Sequence, residues 1–158
     1  MLTAAQTDSV WRRMVEAEVR AMYFGELAAA YTKRKQIITG LSFFLSSGAA
    51  ATLAAQTARS VPLIMSIASA ILMAYSIAVS LDRTVENLAK LHYAWSQIQD
   101  DYERLWNHWY ADDAEETLQE ILKRSREASE TSTRAPYNER LMEKWTGFVY
   151  ERYQPTAA

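Results

Sequence analysis

Hydrophobic and polar positions are unevenly distributed along this chain. From Gln36 to Leu81 the only charged residue is Arg59, which divides the region into uncharged runs of 23 positions (Gln36–Ala58) and 22 positions (Ser60–Leu81). Each run matches the roughly 20 residues a helix needs to cross about 30 Å of hydrocarbon. A soluble helix repeats charge on one face every three or four residues, and neither run does. Backbone groups in lipid must be satisfied within their own segment, so helix is the expected form. The pattern predicts two membrane-spanning helices, Ile37–Ala55 and Val61–Leu81, with Pro62 in the first turn of the second. Residues Thr57–Ser60 are expected to form a tight external turn. The competing reading is a buried hairpin inside a soluble bundle. A cleaved signal peptide fits poorly, because a charged stretch of about thirty residues precedes the first run.

Outside these runs the periodicity is helical. Upstream, Val10, Met14, Ala17, Ala21, Phe24 and Ala28 recur at helical spacing after a candidate cap at Asp8 or Ser9. Downstream, Leu88, Leu91, Trp95, Ile98, Tyr102, Leu105 and Trp109 alternate by three and four, with no Gly or Pro among them. The second span is therefore expected to continue as one helix from Pro62 to Tyr110, about 70 Å long. Asp112 and Glu115 have capping-box spacing, and Lys123, Arg124 and Arg126 suit a helix C-terminus. Leu118, Ile121 and Leu122 give that helix a narrow apolar face, TSTRAPYN (131–138) reads as a loop, and a last helix packs through Leu141, Trp145, Phe148 and Val149. The expected fold is an all-α membrane protein, a two-transmembrane-helix hairpin with a helical cytoplasmic bundle. Its segments are an N-terminal helix (1–35), the hairpin (36–81), a stalk helix continuing the second span (82–111) and C-terminal helices (112–158).

Charge sets the expected orientation. Lys33, Arg34 and Lys35 stand immediately before the first run, whereas the intervening turn offers only Arg59. Basic residues flanking spans are retained in the cytoplasm, so both termini are expected inside. Over 158 residues the formal net charge is -2, which argues against generic polyanion binding but not against a local basic site. There is no cysteine, hence no disulfide framework and no thiolate zinc site.

The two runs differ in kind. The second is rich in Ile, Leu, Met and Val, while the first carries Thr39, Gly40, Ser42, Ser46, Ser47, Gly48 and Thr52 among alanines. Thr39, Ser42, Ser46 and Ala49 form one stripe at helical spacing; Ser66, Ser69, Ser76 and Ser80 form another, with Met73 filling the gap. Small and hydroxylated residues allow close helix approach in lipid. The stripes predict a homo-oligomer, with Thr39, Ser42, Ser46, Ser66, Ser69, Ser76 and Ser80 as pore-lining candidates; dry packing faces are the alternative. A conduit so lined would leave charge selectivity to its mouths, near Lys33–Lys35 and Asp82–Arg83.

Catalytic constellations are absent from the pattern. The two histidines are His92 and His108, the four glycines are scattered, and the serines have no partner that sequence can place. His108 and Asp112 have metal-compatible spacing but no third ligand, and no cofactor is implied. The chain reads as a non-enzyme. All five tryptophans lie outside the runs, and RLWNHWY (104–110) interleaves aromatics with cations, a combination suited to nucleobase stacking. Arg12, Arg13, Arg20, Arg104, Trp106 and His108 are the candidate ligand contacts. The plainer alternative places Trp109 in the seam and Trp106 against the terminal helices.

The stretches YFGELAAAYTKRKQIITG, SFFLSSGAAATLAA and LIMSIASAILMAYSIAVSLDRTVENLAKLHYAW, within Trp11–Trp109, resemble the SLATT family of two-transmembrane effectors. Those accompany bacterial nucleotidyltransferases and nucleotide-sensing domains in anti-phage systems. Within the family the likeness is to the small membrane effectors of the Hailong type. It lies in hydrophobicity and the order of elements, and carries no ligand residues with it. The resemblance implies a bacterial inner-membrane ion channel, a tetramer or larger, gated by a nucleotide or oligonucleotide from a partner nucleotidyltransferase. Opened, such a channel disrupts the membrane in abortive infection. A non-conducting membrane anchor or scaffold and a holin-like lysis protein or toxin stand as alternatives.

Overall fold

A computed structural model describes residues 1–54 and 60–153, the side chains of 49–54 excepted. The described residues form five helices and no strand: α1 (Ala4–Ala54), α2 (Ser60–Ala78), α3 (Leu81–Asn107), α4 (Ala114–Ser132) and α5 (Glu139–Tyr153). They divide into two compact units, one of Met1–Ala28 with the chain from Asn87 onward, the other of Ala29–Glu86. The N-terminal helix, most of the predicted stalk and the C-terminal helices thus belong to one body.

That first unit is a helical bundle with a conventional core. The predicted seam of α3 is buried from Leu88 through Leu105, and each fully buried side chain of this size contributes about 1.5–3 kcal/mol. On α1 the predicted stripe Val10, Met14, Ala17, Ala21 and Phe24 is buried too. So is a second stripe four residues apart, Val15, Val19, Tyr23 and Leu27. The reason is that α1 meets all three other helices. His92 Nδ1 of α3 lies 2.8 Å from the Ala21 carbonyl, Arg20 Nη1 donates to Ser129 Oγ of α4 at 2.9 Å, and Trp145 Nε1 of α5 donates to Glu26 at 2.8 Å. A Cβ at Gly25 would lie 3.0 Å from His92 Nδ1 and 3.1 Å from Cε1, so glycine permits this approach. The Tyr23 hydroxyl accepts from Asn138 N at 2.9 Å and donates to the Pro136 carbonyl at 3.3 Å, which pins the turn before α5.

One buried acid stands in this core. Glu18 is 2% exposed and accepts from Arg152 and, at 2.7 Å, from the Tyr153 hydroxyl. Burial, reinforced by the hydrogen bond to Glu18, pushes the Tyr153 hydroxyl up from 10.0 to about 12.

The second unit inverts the pattern. In α2 only Pro62 and Ser69 are buried, while Leu63, Ile64, Ile67, Ile71, Met73 and Ile77 are exposed. On α1, Ile37, Leu41, Phe43 and Phe44 are exposed as well. Contiguous apolar surface of this kind is rare on soluble monomers and marks membrane or protein contact. Among the described residues α2 alone is long and apolar enough to cross a membrane. At 1.5 Å per residue its length is about 28 Å, close to the hydrocarbon thickness. The predicted first span, Ile37–Ala55, runs onto residues 49–55, which are not described in full; the predicted external turn, Thr57–Ser60, lies outside the described residues except for Ser60, which opens α2.

Several boundaries differ from expectation. Helix α1 starts at Ala4, where Thr3 and Gln6 form a capping box: Gln6 Oε1 accepts from Thr3 N at 2.8 Å, and Gln6 N donates to Thr3 Oγ1 at 3.3 Å. Asp8 and Ser9, the expected caps, lie inside the helix. The long helix expected from Pro62 to Tyr110 is broken at Val79–Ser80, the second span ending at Ala78 and the next helix starting at Leu81. Ser80 adopts a left-handed conformation (φ 47°), its carbonyl accepts from Thr84 N at 3.0 Å, and Asp82 occupies the first turn of α3. Helix α3 ends at Asn107, leaving Trp109 exposed beyond the seam. The Asp112–Glu115 capping box is not made: Asp113 takes the N-cap without a side-chain hydrogen bond. Lys123, Arg124 and Arg126 are interior to α4, because the helix continues through Ser132 and shortens the predicted loop.

Candidate functional site

Two regions concentrate polar chemistry, one in each unit. In the bundle, Arg13, Arg20, Arg126, Trp95, Tyr102 and Ser129 line a cleft of about 440 Å³, joined by Ser125 and by the carboxylates of Glu16 and Glu130. The α1 residues Arg13 and Arg20 are seven positions apart, two helical turns, and so share a face. Arg20 is fixed: its Cζ lies 4.5 Å from the centroid of the Trp95 ring while Nη1 donates to Ser129 Oγ. Trp95 is itself held, with Nε1 donating to Ser132 Oγ at 3.2 Å. Ser125 Oγ is 3.3 Å from the Tyr102 hydroxyl. The cleft therefore offers guanidinium groups and hydroxyls on rigid helices, an arrangement suited to phosphate oxygens.

The sequence candidates divide among several places. Arg13 and Arg20 share this cleft; Arg12 and Trp106 line another, of about 510 Å³, with Asp8 and Trp11. Arg104 and His108 are adjacent through a 3.0 Å contact between His108 Nδ1 and the Arg104 carbonyl. His108 and Asp112 lie beyond the end of α3, so the helical spacing that suggested a metal does not apply. Among the described residues no group of three metal-ligating side chains occurs.

In the hairpin, the structure brings together three of the seven pore-lining candidates. Ser46 Oγ donates to the Ser42 carbonyl at 2.8 Å, Ser69 Oγ lies 2.9 Å from Ser46 Oγ, and Ser69 also reaches the Ser42 carbonyl at 3.3 Å. Ser42 is 2% exposed, and its hydroxyl oxygen has no partner among the described residues. Thr39 and Ser66 are exposed, Ser76 is half-buried, and Ser80 sits at the helix break. At one end of the hairpin, Arg34 donates to the Tyr75 hydroxyl and Lys35 pairs with Asp82.

No family model matches the chain, and no curated protein or solved structure is significantly similar to it. Geometry is thus the guide to the site. Sequence reasoning missed Trp95, Ser125, Arg126 and Ser129. The seam claimed Trp95 for the core, which is also correct since its ring is buried under Arg20. Arg126 and the two serines sit at three- and four-residue spacing on α4, a signal present in the sequence that read as an ordinary polar face.

Proposed function

We propose that this chain is an oligomeric membrane pore effector, its two-helix hairpin in the bacterial inner membrane and both termini cytoplasmic, gated by a nucleotide or oligonucleotide. The observation that carries the reading is the apolar surface of α2, left uncovered in a chain whose other unit buries its aliphatic seam. The arginine cleft supports the second half of the reading, and the resemblance to SLATT effectors supports both. Arg13, Arg20 and Arg126 would engage phosphates, with Ser125 and Ser129 as neutral donors. Helices α1 and α3 each contribute residues to both units, so ligand occupancy and hairpin state are linked through continuous chain. The ligand must bind one state more tightly than the other to shift the equilibrium.

One observation favours a second reading, a non-conducting anchor. The Ser46 and Ser69 hydroxyls find partners in each other and in the Ser42 carbonyl inside a single hairpin, as dry packing requires. Ion flux from liposomes reconstituted with the full chain separates the two. The pore reading expects flux that changes on adding short oligonucleotides, with that response lost in an Arg13→Gln/Arg126→Gln variant that still inserts. Absence of flux with and without ligand would establish the anchor. Flux indifferent to every ligand and to the double variant would favour a lysis protein.

A further inference from the structure

The charged end of the hairpin unit carries a second constellation that gating does not use. Lys33, Arg34, Ile37, Ile38, Leu72 and Tyr75 line a cavity of about 430 Å³ with no carboxylate in its wall. Its composition changes along α1. Lys33 and Arg34 come first, and Ile37 and Ile38 follow one turn later, about 6 Å along the axis. Tyr75 stands between the two zones on α2, its hydroxyl accepting from Arg34 and its ring centroid 5.4 Å from the Arg34 guanidinium carbon. Arg34 is thereby oriented without being neutralised. Lys35 is paired with Asp82, whereas Lys33 is exposed and has no ion pair among the described residues. Ile37 is exposed below it.

Two uncompensated cations, a phenol and an apolar wall one turn further on reproduce the polarity profile of a phospholipid, phosphate first and acyl chain next. We propose that this cavity binds an anionic membrane phospholipid, its headgroup phosphate on Lys33 and Arg34 and one acyl chain along Ile37 and Leu72. Charge complementarity selects the anionic headgroup, and basic pockets between spanning helices on the cytoplasmic side are a known form of such recognition. A free phosphate would find the cations but leave the apolar wall uncovered. The proposal rests on the hairpin lying in a bilayer and is independent of what gates it.

The test uses the full chain, purified in mild detergent and titrated with phosphatidylglycerol or phosphatidylcholine under native mass spectrometry. Carbonate extraction of membranes is run in parallel. The expected result is preferential retention of phosphatidylglycerol, weakened about fivefold for each cation removed in Lys33→Gln, Arg34→Gln and the double variant. Lys33→Arg should retain it. Equal retention of the two lipids by the unaltered protein would overturn the proposal, even if the glutamine variants failed to insert. So would a membrane-inserted double variant that keeps phosphatidylglycerol at the original level, or displacement of the lipid by equimolar inorganic phosphate. A protein absent from the carbonate-resistant fraction would sink the membrane reading itself, an outcome distinct from loss of lipid preference.

Discussion

The bundle and the hairpin are built from the same residue types arranged for opposite surroundings. In the bundle, Leu88, Leu91, Ile98 and Leu105 are buried, and charged residues such as Lys90, Glu103 and Arg104 lie on the outer faces. In the hairpin, Ile64, Ile67, Ile71 and Ile77 are exposed and the buried positions include Ser42 and Ser69. Hydrophobic burial drives the first arrangement because water surrounds it. If the hairpin lies in lipid, as proposed, hydrophobic burial cannot drive the second, and small residues and hydroxyl bonds bring the helices together instead. On the proposed reading the two regions differ in the solvent each faces, and substitutions that change only the solvent-facing term test it.

The largest effect is expected where water-driven packing is densest. Ile98 is 1% exposed in the bundle, and Ile98→Ala should cost about 4 kcal/mol, read as a lowered unfolding transition of the purified protein. Ile67→Ala in the hairpin removes the same atoms from an exposed position, and should leave that transition almost unmoved. Comparable losses at the two positions would break the contrast. Next in size is a charge on the uncovered face. Ile71 is 63% exposed near the middle of α2, where a soluble protein would accept Arg within about 0.5 kcal/mol. In a bilayer Ile71→Arg should cost about 3 kcal/mol of insertion, visible as loss from the carbonate-resistant membrane fraction.

Part of the contrast is legible in the sequence. A seven-position seam placed α3's buried face from Leu88 to Leu105, and one arginine in forty-six residues marked out the apolar region around α2. Local signals explain what was misplaced. The break at Val79–Ser80 separates two helices without Gly or Pro, and only the acid two positions on, Asp82, hints at a new N-terminus. Thr3 and Gln6 cap α1 at capping-box spacing, but Asp8 and Ser9 offer competing cap residues a few positions later, and spacing alone does not rank them. Non-local facts were out of reach. The second stripe of α1 is buried because three helices surround it, and Glu18 meets Arg152 and Tyr153 more than 130 residues away. The arginine cleft needs α1 beside α4, a pairing that no spacing within either helix encodes.

That Glu18 cluster sharpens the comparison, since a buried charge is tolerable in the bundle only with its partners present. Arg152→Ala would leave the carboxylate with the Tyr153 hydroxyl alone, at a cost of about 2 kcal/mol, because water reaches part of the vacated site. Alkaline pH probes the same cluster. Tyr153 releases its proton at about 12 when folded, against 10.0 ordinarily, so the folded state holds the proton longer. Its contribution to stability is therefore whole below pH 10.0 and declines as pH rises towards about 12. Tyr153→Phe should flatten that decline relative to the unaltered chain in an unfolding series across this range.

The smallest effects lie in the hairpin's serines, and they decide between a dry and a wet interior. Ser69 donates into the Ser46–Ser42 cluster, so Ser69→Ala should loosen the helix pair by about 0.6 kcal/mol, the usual scale of a hydroxyl bond between spanning helices. Ser42 contributes its backbone carbonyl to that cluster, while its own hydroxyl oxygen is buried without a partner among the described residues. If the interface is dry, Ser42→Ala removes an unsatisfied polar atom and should be neutral or mildly stabilising. If water lines the pair in an assembled pore, that hydroxyl is solvated, and its loss should lower ion flux while leaving insertion intact. Measuring insertion and flux on the same two variants thus assigns the stripe: stability changing at Ser69 alone means packing, and flux changing at Ser42 means a conduit.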